Sequence, residues 1–400
     1  MKLKIIFGGL FAASIALQGC SREEVHTPIF EDAGVPDKIE NPVVQNMPGG
    51  AKITYELPKG GTPLYVAAEV MNKNGQKRVV KSSFYSNSLV IEGLADTSGY
   101  QVSLRSVSKS EKKSDPVLVT IHPQTPPYLE AFKTLQLSPD FGGIYIGLNN
   151  AVNTDLMIGL CGTDSLGEFG LLNSYYSNEK TVSYTFRGLP ARESRYGVYV
   201  QDKWGNRSDT LYGMLAPLFE KMLDKSLFRE VRLPGDAVVS NYPNIGIRFA
   251  WDGSWSSDYD DPYGNYLNVE TDVAKDGRPA WITFDLGTVT HLSRFRLNKY
   301  YTYWYKDMHK YEIWGATDPN PDGSWDGWTP LISCEDIKPS GLAYPAATSA
   351  DKQAWVLGNQ ANFPSGLPAV RYIRIKCTEN WAGNGGNLSF SEITFWGSDR

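Results

Sequence analysis

The chain is poor in the residues that most often carry chemistry. Of its 400 residues, four are cysteine and four are histidine. Cys20 apart, Cys161, Cys334 and Cys377 form an odd set at wide spacings, which is neither a disulfide framework nor a zinc-binding CxxC pair. Cys334 and Cys377 could bond in an oxidising exterior, or all three serve as small buried hydrophobes. The histidines (His26, His122, His291 and His309) are scattered, with no serine or cysteine nucleophile motif near them. No P-loop or dinucleotide fingerprint follows a strand and opens a helix. Asp and Glu are plentiful, yet nothing singles out the two carboxyls that glycoside hydrolysis needs on either side of the bond. Basic side chains are outnumbered 39 to 44 and form no cluster, which argues against a nucleic-acid footprint. Beyond residue 17 no apolar run approaches a membrane span. Helix-period signal is scarce too.

Hydrophobic length is concentrated at the start. Met1–Lys4 is short and basic, Ile5–Leu17 is apolar with small residues mixed in, and Leu17–Cys20 reads LQGC. The run is too short to cross a hydrocarbon core of roughly 30 Å. It reads as a secretory signal, residues 1–19, to be set apart from the fold. LQGC resembles the lipobox of bacterial lipoproteins, whose cysteine is acylated and becomes the first residue of the mature chain. That resemblance implies lipid attachment at Cys20. Buried methylenes at about 0.8 kcal/mol each make several acyl chains a stable anchor. Ser21–Glu24 (SREE) resembles the surface-export signal of Bacteroidetes lipoproteins and implies the exterior face of the outer membrane. Without Lys2 and Lys4, 37 basic groups face 44 acidic ones, a formal net charge of −7.

Aromatics at 12%, with 38 Gly and 24 Pro, suit many short strands joined by turns. A polar, proline-dotted opening makes residues 20–34 a flexible tether. Strand-length apolar runs then follow at Ala51–Leu57, Leu64–Asn72, Ser88–Leu94, Gly99–Ser108 and Pro116–Pro123, which predicts a β-sandwich over 35–123. A second set at Gly142–Asn150, Asp155–Asp164, Thr181–Pro190 and Arg195–Asp209 predicts another over 124–216. VIEGLADTSGYQVSLRSVS and TFRGLPARESRYGVYVQDK share a strand, Gly-Leu, a short loop and a tyrosine opening an alternating strand. The pair resembles fibronectin type III-like sandwiches, which implies a spacing role. Residues 217–233 break the rhythm. Pro217 suits a first helical turn, and Leu218, Met222 and Leu223 fall near one helical face, so a short helical joint is expected there.

Residues 234–400 differ in character. In order they carry Asp252-Gly253, Trp281-x-x-Phe284-Asp285-Leu286-Gly287, Tyr311-Glu312-Ile313-Trp314-Gly315, Trp328-x-x-Leu331, Arg371-Tyr372-Ile373-Arg374-Ile375 and Ser391-Glu392-Ile393-x-Phe395-x-Gly397. This series resembles the discoidin fold, also called the coagulation-factor type C or galactose-binding-like module. The resemblance implies an all-β chain ending in an eight-stranded jelly-roll sandwich. Many such modules hold a structural calcium, and the matching positions are Asp252 and Glu392. Where the family often has a threonine past Asp-Gly, this chain has Ser256 and Ser257. The nearby Asp258, Asp260 and Asp261 could serve the metal instead, or form a solvated loop. The order of modules is similar to surface lipoproteins of gut Bacteroidetes glycan-uptake loci.

One stretch, KYYTYWYKDMHKYEIWG (Lys299–Gly315), sets seven aromatic rings in a run that does not alternate, so some point away from the core. If the discoidin resemblance holds, Tyr300–Lys310 is a loop at one end of the sandwich. Tyr303, Trp304 and Tyr305 are then candidates to stack on a sugar, whose C–H face suits a flat ring of low rotamer entropy. TENWAGNGGN offers Trp381 with Asn380 and Asn384 to direct hydroxyls. Trp255 and Tyr259 lie in a third candidate loop, whereas Trp325 or Trp328 is expected to pack against the sandwich. A single site of this kind gives ~4–6 kcal/mol, roughly millimolar to tens of micromolar, offset by many anchored copies. These readings imply a non-catalytic outer-membrane surface lipoprotein that binds a poly- or oligosaccharide. A scaffold subunit docking an outer-membrane transporter, and a hydrolase with an unmarked carboxyl pair, are the alternatives.

Overall fold

The structure is a computed structural model that describes residues 34–60, 63–73, 75–255, 264–269, 278–300, 305–343, 345–383 and 385–400. Cys20 with the leader, Tyr303, Trp304, Asn384, Tyr259 and the stretch Ser256–Asp261 lie outside the described residues. The chain divides into two compact units, one ending at Pro127 and the other running from Tyr128 to Arg400.

The first unit holds β1 (Glu40–Met47), β2 (Gly50–Glu56), β3 (Tyr65–Met71), β4 (Lys77–Ser83), β5 (Ser88–Ile91), β6 (Tyr100–Val107) and β7 (Val117–Ile121). They form two antiparallel sheets, β1-β2-β5 and β4-β3-β6-β7. Alternation decides the faces: Ile53 and Tyr55 of β2 are buried while Lys52 and Thr54, which precede each of them, are exposed. Ile53, Val66, Ile91, Val102 and Leu104 close the core between the sheets.

The second unit opens on α1 (Pro127–Lys133), which the sequence reading did not anticipate; Tyr128 and Ala131 anchor it to the core. The sandwich that follows has β8 (Gln136–Asp140), β9 (Gly143–Asn149), β10 (Leu156–Thr163), β11 (Phe169–Ser177), β12 (Thr181–Arg187), β13 (Ser194–Asp202) and β14 (Leu211–Leu215). Its sheets, β12-β9-β8 and β11-β10-β13-β14, reproduce the strand order of the first unit. The repeat extends to single contacts. Leu189 N donates to Gly142 O at 3.0 Å, as Leu94 N does to Gly49 O at 2.9 Å, and both glycines sit at φ near +65°. The next residue must be glycine as well, because a Cβ on Gly143 would overlap the Phe186 carbonyl, and one on Gly50 that of Ile91. Ser208 Oγ accepts from Val200 N at 2.9 Å, as Ser114 Oγ accepts from Ser106 N at 3.0 Å.

The remaining strands are β15 (Lys221–Met222), β16 (Arg229–Val231), β17 (Leu267–Asn268), β18 (Ala280–Asn298), β19 (Met308–Ala316), β20 (Thr329–Glu335), β21 (Asn359–Asn362), β22 (Val370–Asn380), β23 (Ser389–Phe390) and β24 (Glu392–Ser398), with α2 (Ser349–Leu357) before β21. Strand β18 serves both faces of a sandwich. Its first half, Ala280–Asp285, pairs with β22 and β16, and its second, His291–Asn298, with β24 and β21. Gly287 at φ +76° makes the break between them, its N–H bonded to Asp285 Oδ1 at 2.7 Å. Phe284, Phe295, Ile313, Ile373, Ile375 and Phe395 fill the core. The chain is therefore all-β, two fibronectin type III-like sandwiches followed by a discoidin-like one.

The helical joint expected over 217–233 is corrected. Apart from a three-residue 3-10 turn at Lys225–Leu227, the segment runs extended. β15 pairs with β24 and β16 with β18. Leu218 and Met222 are exposed, while Leu223 and Phe228 enter the core of the last sandwich. Open sheet edges supply backbone partners that a short isolated helix cannot match.

Candidate functional site

The loop before β19 and the loop after β22 lie at the same end of the last sandwich, which spacing alone did not decide. Trp381 N donates to Asp307 O at 3.2 Å and Ala382 N to Tyr305 O at 3.1 Å, so the two loops are stitched backbone to backbone. Tyr305 and Trp381 are both half-buried. The Trp381 indole is held firmly. The His309 ring stacks on it at 4.2 Å, and the ammonium groups of Lys338 and Lys299 lie 5.2 and 5.6 Å from its centroid. His309 Nδ1 is in turn 2.8 Å from Glu379 Oε1, and Lys310 Nζ is 3.3 Å from Glu379 Oε2. Burial would raise the Glu379 pKa, but the bonds from His309 and Lys310 hold it below the usual carboxylate value.

Beneath the rings lies a buried polar layer. Lys299 is 1% exposed, Asp307 0% and Asp336 6%. Lys299 Nζ pairs with Asp336. Burial drives the Lys299 pKa down to about 7 against the pull of Asp307, and burial likewise pushes Asp307 well above the usual range. Buried charges are costly unless paired, and perturbed ionisable groups gather at functional sites. Sequence reading missed Lys299, Asp307, Asp336 and Lys338. Its one available signal was His309, two positions before Tyr311 on the same strand.

The other candidate residues fare differently. Asn380 is corrected: it is 0% exposed, and its Oδ1 accepts from Ala382 N at 3.0 Å, so it shapes the turn instead of facing a ligand. Trp255 is half-buried with the Arg296 guanidinium 4.5 Å over its ring. Tyr311 is core, and Trp314 packs on Trp325 at 5.0 Å. Trp325 and Trp328 lie against the sheet under Arg374, whose guanidinium is 4.6 and 4.4 Å from their centroids.

At the positions matching a calcium site, both Glu392 carboxylate oxygens and one of Asp252's already have protein partners. Glu392 is 0% exposed; Oε1 pairs with Lys225 Nζ, and Oε2 accepts from Gly253 N at 3.1 Å. Asp252 is exposed, with Oδ1 taken by Ser254 N at 2.8 Å. Calcium wants six to eight oxygens. Among the described residues no group of three or more His, Cys, Asp or Glu could hold a metal ion.

Residues 36–123, 124–226 and 255–397 match three families, DUF4959, DUF5126 and DUF5000, each described as a domain of unknown function. Among solved structures the chain is similar to a SusE-like protein, with 29% identity over 69% of this chain and 100% of that one at a TM-score of 0.44. It is also similar to a family 32 carbohydrate-binding module of a family 31 glycoside hydrolase from Clostridium perfringens, with 17% identity over 44% of this chain and 95% of that one at a TM-score of 0.32. A family 32 module of C. perfringens NanJ, solved in complex with galactose, has 15% identity over 44% of this chain and 98% of that one at a TM-score of 0.30. Compared with curated proteins, the chain has no match.

Proposed function

We propose that the protein is a non-catalytic, lipid-anchored glycan-binding protein of the outer-membrane surface, taking its sugar at the loop end of the last sandwich. Tyr305 and Trp381 supply ring surface, joined by Tyr303 and Trp304 from the residues just before and by Asn384 from the residues just after. The anchor is Cys20, and the two fibronectin type III-like sandwiches serve as spacers. The observation that carries the reading is the stitching of the 305–309 and 380–383 segments, which sets a tryptophan held by His309 beside a tyrosine at one tip. A ring already fixed in place loses little freedom when it stacks on a pyranose.

Affinity gels cast with a panel of plant and host polysaccharides test it. Retardation by at least one glycan, reduced about tenfold in Trp381→Ala and in Tyr305→Ala, is the expected result, since one ring is worth roughly 1.4 kcal/mol at tenfold. No retardation by any glycan, together with co-purification of an outer-membrane transporter, would replace the sugar with a scaffold role. Release of reducing ends would revive the hydrolase.

A further inference from the structure

We infer that the Lys225 ammonium stands where a structural cation would otherwise neutralise Glu392, so that the joint segment, not calcium, secures the start of β24. Lys225 Nζ is paired with Glu392 Oε1 and donates to Thr394 Oγ1 at 2.8 Å. Its side chain is 17% exposed and that of Glu392 is 0% exposed. A carboxylate this deep needs a counter-charge. An ammonium with three donors fits a carboxylate oxygen and a hydroxyl, whereas calcium would need several more oxygens.

The lysine is also held in place by the chain around it. It opens the 3-10 turn capped by Asp224, whose Oδ1 accepts from Ser226 N at 3.0 Å. β15 on one side pairs with β24, and β16 on the other pairs with β18. Leu223 and Phe228 flank the turn inside the hydrophobic core. The backbone that carries Lys225 is therefore fixed beside Glu392, and residues 221–231 belong structurally to the last sandwich.

Melting of the full chain, followed by tryptophan fluorescence, tests this. Ten of the eleven tryptophans fall at residue 251 or later, so the signal reports that sandwich. The wild type should melt at the same temperature with excess calcium and with a chelator, or shift equally in wild type and Glu392→Gln. Lys225→Met should melt lower by on the order of 10 °C, because it strands a buried carboxylate. The double variant Lys225→Met/Glu392→Gln should regain part of that loss. A calcium-induced rise in the wild type that Glu392→Gln abolishes would overturn the inference, and so would a Lys225→Met protein that melts like the wild type.

Discussion

The His309 imidazole lies stacked on the Trp381 indole, ring centroids 4.2 Å apart and planes 23° from parallel, and Glu379 fastens the imidazole from behind at 2.8 Å. The pair joins the start of β19 to the loop after β22. Its consequence is that Trp381 is positioned before any ligand arrives.

His309→Ala should therefore weaken retention on whichever glycan the wild type binds by two- to tenfold. An aromatic pair is worth about 0.5–1.5 kcal/mol beyond its buried area. Dissociation constants from affinity gels measure this, and melting should change little. Undiminished retention would show that the imidazole does not support the indole.

The Asp351 carboxylate accepts from Ser340 N and Oγ at 2.9 and 2.7 Å and from Thr348 N and Oγ1 at 2.7 and 3.0 Å, closing the capping box of α2. Burial would raise its pKa, but these four donors outweigh burial and hold it well below the usual value. A carboxyl depressed in the folded state stabilises above its unfolded pKa of about 3.9, and that contribution is lost as pH falls through the folded value. Asp351→Asn should thus be less stable by about 1–2 kcal/mol at neutral pH. Its deficit should shrink as urea midpoints are followed below about pH 4. A deficit that stays constant into acid would rule out the carboxylate as its source.

Gly143→Ala should destabilise the second sandwich by about 2–3 kcal/mol, because the added methyl meets the Phe186 backbone, which cannot yield without opening the β9–β12 pairing. Gly170→Ala, in open space on β11, should stay within about 0.5 kcal/mol. Hydrogen exchange in β9 and β12 separates the two, with faster exchange expected only in the first variant.

Cys334 and Cys377 do not bond, because both register opposite Tyr311, one on each side of β19. Two strand spacings, roughly 9.6 Å, separate them, beyond disulfide reach. Burial pushes the Cys377 thiol up to about 12. Reductant should leave the melting curve unchanged, and alkylation of Cys377 near pH 8 should proceed in urea but not in the native protein, as read by peptide mass. Rapid native alkylation would contradict the burial.

Much of the fold was legible because strands record their faces locally. Alternation in AKITYEL gives the inward Ile53 and Tyr55 directly, and the Gly-Leu pairs mark equivalent corners of two sandwiches. The equivalent Gly-Gly turns at Gly49–Gly50 and Gly142–Gly143 were equally visible and went unread. The joint was misread because Leu218, Met222 and Leu223 satisfy a helical spacing as well as an extended one. Only the open edges of β24 and β18, supplied by residues far along the chain, choose between them.

The site divides the same way. Composition and order fixed where aromatics concentrate, since ring-rich loops between alternating strands are a property of neighbours in sequence. Which rings stand at one tip, that Asn380 turns inward, and that Lys299, Asp307 and Asp336 share a buried layer beneath Trp381 were decided by tertiary structure. Burial and charge pairing depend on residues dozens of positions apart. The periodicity of a strand cannot encode what a different strand will place against it.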